Sequence, residues 1–193
     1  MIGPILEPVT AQADLVTLAQ AKAHLHEDAN DQDAAIADMI AAASAALDGP
    51  NGMYGHAVSA RRWRLMVSGP DADGFLTLPV EPVTTLHSIA YYPQGGGAAV
   101  VADSPLELQD WTRAGSKIWP ASMRWPALAD RFDAVVVEWT AGPATVEADV
   151  RRAALLMVGD MYAHRESVVT GTITSNTGQI EQLVALKRRW WTP

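Results

Sequence analysis

The sequence predicts an α+β fold, in which a small helical bundle is built from both ends of the chain and an antiparallel β domain is inserted between them. Apolar residues recur at helical spacing near both ends, whereas the middle alternates apolar and polar residues between Gly and Pro turns. Because neither helical segment alone can bury a core, the two must pack together. We expect the N-terminal helical part in residues 1–55, the β domain in 56–143 and the C-terminal helical part in 144–193.

Two helices are expected in the N-terminal part. Thr17 and Gln20 have the spacing of a capping box, which predicts a helix from Leu18. A second helix is expected to begin near Asn30–Asp33, where acidic residues suit the helix dipole, and to end at the Gly49–Gly52 turn. Its apolar face has four large side chains: Ile36, Met39, Ile40 and Leu47.

The middle of the chain predicts a small antiparallel sandwich or barrel-like sheet. Strands separated by Gly and Pro recur about every ten residues, which is typical of such folds. We expect strands at Arg61–Val67, Phe75–Leu78, Val83–Tyr92, Ala98–Ala102, Leu106–Trp111, Lys117–Trp119 and Ala134–Thr140. The glycine run Gly95–Gly97 predicts a hairpin turn rather than a phosphate-binding loop, because neither a Lys-Ser/Thr pair nor a helix start follows it.

The C-terminal part returns to helix. A third helix is expected to begin near Pro143 or Thr145 and to end near Arg165–Glu166. The Ser- and Thr-rich stretch Ser167–Gly178 predicts a mobile loop, and an amphipathic helix from Gln179 is expected after it.

Composition excludes several classes of protein. The chain has 193 residues, 49% of them hydrophobic, no cysteine and a formal net charge of -8. A disordered chain would be less apolar, and disulfide scaffolds, zinc ribbons, iron–sulfur sites and thiol nucleophiles all need cysteine. We find no signal-peptide pattern and no apolar run near the ~20 residues of a membrane span, so we expect a soluble protein of a reducing compartment without a membrane partner.

The charge is distributed unevenly along the chain. Residues 1–50 contain eight acidic side chains and one basic side chain, whereas residues 151–193 contain six basic and three acidic ones. A chain this acidic is a poor candidate for binding DNA phosphates through bulk charge. The basic residues at the other end stand beside Trp190 and Trp191, which would be a hydrophobic liability if left uncovered.

No catalytic or metal-binding pattern stands out. The sequence has no GxxxxGK[ST], GxSxG or HExxH motif, so we expect no cofactor and no metal. His24 and His26 point to different sides of a helix, which favours a polar helix end over a metal site. An enzyme using His164 and Glu166 is an alternative, although no second converging group accompanies them.

Two basic and aromatic clusters are candidates for binding. The strand residues Arg61, Arg62 and Arg64 flank Trp63, a pattern that can bind single-stranded nucleic acid but is more typical of a solvated strand face. The second cluster is Lys187, Arg188, Arg189, Trp190 and Trp191. Trp and Arg are enriched in interface hot spots, so this segment either docks onto another protein or folds back onto its own core.

The order of these segments resembles the head–tail connector (adaptor) family of tailed phages and gene transfer agents. The resemblance covers most of the chain and rests on the order and spacing of Leu18–Leu25, Asp33–Ala43, Tyr54–Val58, Arg61–Trp63, Leu78–Val83, Ser88–Pro93, Val137–Pro143 and Val150–Glu166, the last with the ending Tyr162-x-x-Arg165-Glu166. The tail Arg188–Pro193 differs from the short ending usual in the family.

The resemblance implies a non-enzymatic ring protein, usually a dodecamer, which sits beneath the portal in the neck of the particle and is assembled in the host cytoplasm. It extends the DNA channel and presents a platform to stopper or tail-terminator proteins; a stopper or tail-terminator ring is the nearest alternative. On this reading residues 187–191 bind the portal, and DNA passes an acidic channel without specific binding. The expected channel-lining residues are Glu27, Asp28, Asp31, Asp33 and Asp38.

Overall fold

The computed structural model describes residues 3–104, 107–164 and 177–188. Its four helices are α1 (Leu18–Leu25), α2 (Asp33–Leu47), α3 (Ala148–Ala163) and α4 (Thr177–Ala185). Its eight strands are β1 (Ile5–Pro8), β2 (Arg61–Val67), β3 (Leu76–Thr77), β4 (Val83–Tyr91), β5 (Val100–Ala102), β6 (Trp111–Ala114), β7 (Lys117–Pro120) and β8 (Val135–Ala141), with a 3-10 helix at Glu107–Asp110. The predicted α+β class is confirmed.

The chain divides into a β unit, residues 1–11 and 60–142, and a helical unit, residues 12–59 and 143–193. All strands belong to the β unit and all four helices to the helical unit. The helical unit is therefore assembled from two stretches that are far apart in the sequence.

One apolar cluster holds the helical unit together. It contains buried side chains from all four helices of the described residues, together with residues of the loops that precede α1 and follow α2. Its fully buried members include Ile36, Leu47, Tyr54 and Val158. Burying such side chains contributes about 1.5–3 kcal/mol each before the entropy of folding is counted. The prediction that helices from both ends of the chain pack together is confirmed.

The capping box predicted for α1 is present. The Thr17 hydroxyl accepts a hydrogen bond from the Gln20 amide at 3.2 Å, and the Gln20 side chain accepts one from the Thr17 amide at 3.0 Å. At the other end His26 takes a left-handed conformation, with a φ of 56°. The reciprocal bonds satisfy donors that a helix N-terminus otherwise leaves unpaired.

A compact loop follows α2. The Met53 amide bonds the Ala46 carbonyl at 2.8 Å, which folds the loop back along the last turn of the helix. Gly52 makes this return possible, because a Cβ there would lie 2.5 Å from the Leu47 and Asp48 carbonyl oxygens. The loop thereby delivers Tyr54 into the apolar cluster, where its side chain is fully buried.

The β unit contains two antiparallel sheets, with strand orders β1-β2-β8-β4-β5 and β3-β7-β6. Gly95–Gly97, all at positive φ, form the turn between β4 and β5, which confirms the predicted hairpin. Inner-face residues Trp63, Val137 and Trp139 are buried, as strict alternation along β2 and β8 requires.

Two features of the β unit differ from the prediction. The strand expected at Leu106–Trp111 is wrong: Glu107–Asp110 form a 3-10 helix, and β6 begins at Trp111. The Glu107 carboxylate accepts a hydrogen bond from the Ser104 hydroxyl at 2.7 Å and another from its amide at 3.1 Å, which caps this turn. The strand β1, which pairs antiparallel with β2, was not predicted.

Candidate functional site

The basic residue at the start of the predicted docking segment is bound within the chain. Lys187 lies just beyond α4, and its ammonium group donates to the carboxylates of both Glu147 and Asp149 at the start of α3. The distance from Lys187 Nζ to Asp149 Oδ2 is 2.7 Å. The two carboxylates are the N-cap and the second residue of α3. This ion-paired cluster joins the end of α4 to the beginning of α3.

The cluster is electrostatically matched. The hydrogen bond from Lys187 holds the pKa of Asp149 below its usual value, and the hydrogen bonds to Asp149 and Glu147 raise the pKa of Lys187. Asp149 also lies in the first turn of α3, at the positive end of the helix dipole, which favours its ionised form. Asp149 and Lys187 therefore stay charged and paired from mildly acidic to alkaline pH.

The surface around the end of α4 combines apolar and polar side chains. Leu186 is 83% exposed, and a cavity of about 330 Å³ lies beside Arg188. The cavity is lined by Met53, Glu181, Val184, Ala185 and Arg188. The predicted docking residues Arg189, Trp190 and Trp191 lie outside the described residues.

A buried tyrosine lies close to the same cluster. Burial, together with the nearby charge of Asp149, raises the pKa of Tyr54 to about 12, so its hydroxyl stays protonated at neutral pH. That hydroxyl has no hydrogen-bond partner among the described residues. The apolar cluster thus holds Tyr54 where the charges of Asp149, Lys187 and Glu147 still act on its hydroxyl.

The five acidic residues predicted to line a channel differ in their surroundings. Glu27 is half-buried and accepts a hydrogen bond from the Tyr162 hydroxyl at 2.8 Å, and Asp33 pairs with Lys22 at 2.6 Å. Asp28, Asp31 and Asp38 are exposed. These three side chains therefore carry most of the accessible charge of the predicted set.

The arginines of β2 are engaged by acidic residues and by the ring beside them. Arg64 pairs with Glu138 at 2.7 Å and with Glu7 at 3.1 Å, and Arg62 pairs with Glu138 at 2.5 Å. Arg61 lies 5.0 Å from the centre of the Trp63 ring. Although burial opposes ionisation, the bonds and charges of the two arginines keep the pKa of Glu138 below its usual value. This neutralised network gives no support to a phosphate-binding strand.

The histidines considered for catalysis or metal binding occupy structural positions. His24 packs against Gly159, and burial together with the charge of Arg152 lowers its pKa. His164 caps the end of α3 beside Asp160, whereas Glu166 lies outside the described residues. Within the described part of the chain, no three His, Asp or Glu side chains are grouped so that they could hold a metal ion.

A groove in the β unit was not predicted from the sequence. It has a volume of about 730 Å³, and its walls include the edge strand β5 and the indoles of Trp111 and Trp125, whose ring centres are 5.2 Å apart. Val100 and Val101 on β5 are nearly half-exposed. The sequence contains part of the signal for this groove, since two adjacent valines follow the Gly95–Gly97 turn. Their position at the edge of a sheet could not be predicted, because it depends on pairing between distant strands.

None of the helices in residues 3–104, 107–164 and 177–188 combines the length and hydropathy needed to cross a membrane. No protein-family model matches the chain, and no curated protein matches its sequence.

Solved structures do share the fold. The chain is similar to one in the neck of an empty gene transfer agent (GTA) particle computed with C6 symmetry, at 21% identity and a TM-score of 0.73. A chain in the virion of a native GTA particle has 22% identity and a TM-score of 0.72. A third, in the neck of a native GTA particle computed with C12 symmetry, has 19% identity and a TM-score of 0.63. Each alignment covers 98% of this chain and 97% of the other.

Proposed function

We propose that this chain is a structural protein of the neck of a phage-like particle, where it forms a ring that links the capsid to the tail. The observation that carries the proposal is the near-complete match to chains of GTA necks and virions, which covers both the β unit and the helical unit. Unrelated functions can share a fold, so structural similarity alone does not establish this role. The order of sequence segments, which resembles that of the connector family, is the second observation that supports it.

Within the neck, we assign this chain to the adaptor ring beneath the portal rather than to a stopper or tail-terminator ring. The neck structures computed with C6 and C12 symmetry are compatible with a dodecamer. Repeated heterologous contacts close into such a ring when the rotation between subunits allows it. Cryo-electron microscopy of particles tests the assignment: density for this chain should lie directly against the portal, whereas density separated from the portal by another ring would identify a stopper or terminator.

The segment from Lys187 to Trp191 is proposed to dock onto the portal. The described part of this segment emerges from α4 beside the exposed Leu186 and the cavity next to Arg188, so it leaves the helical unit at an accessible surface. Arg and Trp side chains are frequent anchors of protein interfaces.

Removing residues 189–193 is expected to abolish docking while the chain still folds, because the removed residues lie beyond the described helices. In a complementation assay with adaptor-free, DNA-filled capsids, tail-bearing particles counted by electron microscopy should fall by about a hundredfold, as expected for the loss of two hot-spot side chains. A chain lacking residues 192–193 serves as the matched control and should attach normally. Normal attachment without residues 189–193 would contradict tail docking.

The exposed acidic residues of the N-terminal part are proposed to face the DNA channel of the ring. Like-charge repulsion between Asp28, Asp31 or Asp38 and DNA phosphates would let the genome pass without sticking. A ring structure with these residues turned away from the channel would overturn the proposal.

Replacing Asp28, Asp31 and Asp38 with lysine should therefore retard DNA release. We expect the amount of DNA released from the particles to fall by roughly tenfold at low salt and to recover at high salt, because the new contacts between lysines and phosphates weaken as salt rises. Lysine at Asp103, Asp110 and Asp130 of the β unit changes the net charge equally and is the control. Equal DNA release from the two variants would show that no local channel charge is involved.

A further inference from the structure

We propose that the ion-paired cluster of Lys187 with Glu147 and Asp149 positions the docking segment by fixing the direction in which the chain leaves the helical unit. On this view Lys187 is a positioning residue and does not itself contact the portal. The inference rests on the proposed function and refines it, because it divides residues 187–191 into an internal anchor and a docking part.

The geometry of the cluster supports an anchor. The Lys187 ammonium is held by two carboxylates, and its amide donates to the Val184 carbonyl at 3.1 Å, so both ends of the residue are fixed. The Asp149 carboxylate is itself oriented by a hydrogen bond from the Val150 amide at 2.9 Å. A side chain held in this way has little freedom to reach another protein.

The attachment of α4 shows why such an anchor matters. This helix has nine residues, and its buried side chains among the described residues are Ile180 and Val184. A helix this short is marginal by itself and depends on tertiary contacts. The ion pairs lie at its C-terminal end and tie it to the start of α3.

The small contribution that such ion pairs make to stability favours a geometric role for the cluster over a stabilising one. The side chains of Lys187, Glu147 and Asp149 are 40%, 56% and 30% exposed, and ion pairs this exposed contribute little to stability. Their loss should therefore leave the fold intact while releasing the chain at Lys187 from the start of α3. A binding segment that must be ordered at the moment of docking binds more weakly than one already oriented.

Two sets of full-length variants test the anchor in the capsid complementation assay. Glu147→Gln with Asp149→Asn leaves the docking segment unchanged, yet should reduce attachment by about tenfold with a thermal midpoint within about 3 °C of the parent. Lys187→Glu should reduce attachment by at least as much. Lys187→Arg keeps a cation with several donors at this position, and attachment should stay within about threefold of the parent.

Controls separate this proposal from general effects. Asp160→Asn removes an exposed partner of His164 at the far end of α3 and should attach normally. Normal attachment by Glu147→Gln with Asp149→Asn, a defect of equal size in Asp160→Asn, or a full loss of attachment in Lys187→Arg would each overturn the anchor. If removal of residues 189–193 abolishes attachment while the cluster variants attach normally, only the anchor fails. If the truncated chain and the cluster variants all attach normally, both the anchor and the docking of the tail onto the portal are wrong.

Discussion

Replacing Trp139 with alanine is expected to destabilise the β unit by about 3–5 kcal/mol, the range measured for deleting a large buried aromatic side chain. Trp139 is fully buried on β8, opposite Trp63 of β2 and Leu86 of β4. Its indole Nε1 also donates to the Val80 carbonyl at 3.2 Å. The substitution therefore leaves both a cavity and an unpaired carbonyl in the centre of the larger sheet.

Urea unfolding followed by circular dichroism measures this loss, and a Trp139→Phe variant separates its two parts. Phenylalanine keeps much of the buried area but cannot donate to Val80, so we expect a loss of about 1–3 kcal/mol. Val101→Ala, at an exposed edge position, is the control and should change stability by less than about 0.5 kcal/mol. A Trp139→Ala chain as stable as this control would contradict the assigned core.

The predictions that succeeded rested on signals carried by neighbouring residues. The capping box of Thr17 and Gln20, the apolar spacing along α2 and the alternation along β2 are all local, and the structure has each of them. Such signals report the backbone conformation of a segment directly, because their spacing matches the helical or strand period.

Elements that depend on distant partners were missed. β1 has four residues and ends at Pro8, so it has no strong strand pattern, and it exists because its backbone pairs with β2. The 3-10 helix does have a local signal: Ser104 and Glu107 have capping-box spacing. The Ser104 hydroxyl accepts a hydrogen bond from the Glu107 amide at 3.3 Å, and the Glu107 carboxylate accepts one from the Ser104 amide at 3.1 Å.

The candidate site was predicted only in part, because some of its contacts also join residues that are far apart in the sequence. The sequence identified a basic and aromatic segment at residues 187–191, but not that Lys187 meets Glu147 and Asp149, which lie about forty positions earlier. The groove lined by Trp111 and Trp125 likewise joins segments that only the folded β unit brings together. The role of residues 189–191 and of the acidic channel residues stays a prediction.

Replacing Asp48 with alanine is expected to cost the helical unit about 3 kcal/mol or more. Asp48 ends α2 and is only 8% exposed. One carboxylate oxygen accepts from the Val58 amide at 2.7 Å and, more weakly, from the Ser59 amide at 3.4 Å, and the other accepts from the Ser59 hydroxyl at 2.6 Å. Alanine leaves these buried donors unpaired, at about 1–3 kcal/mol for each well-formed bond.

The consequences of this change extend to the surface proposed to dock. Asp48 holds the far end of the loop that carries Met53 and Tyr54. Met53 lines the cavity beside Arg188, and Tyr54 lies in the apolar cluster.

Asp48→Asn keeps an acceptor at Oδ1, and the Ser59 hydroxyl can rotate to accept from the new amide, so we expect a loss near 1 kcal/mol. Asp38→Ala, on the exposed face of the same helix, should leave stability unchanged within about 0.5 kcal/mol. Urea midpoints in the order Asp38→Ala, Asp48→Asn, Asp48→Ala, from highest to lowest, would support a loop fixed by its buried carboxylate. Equal midpoints would mean that the loop is held by its apolar contacts alone.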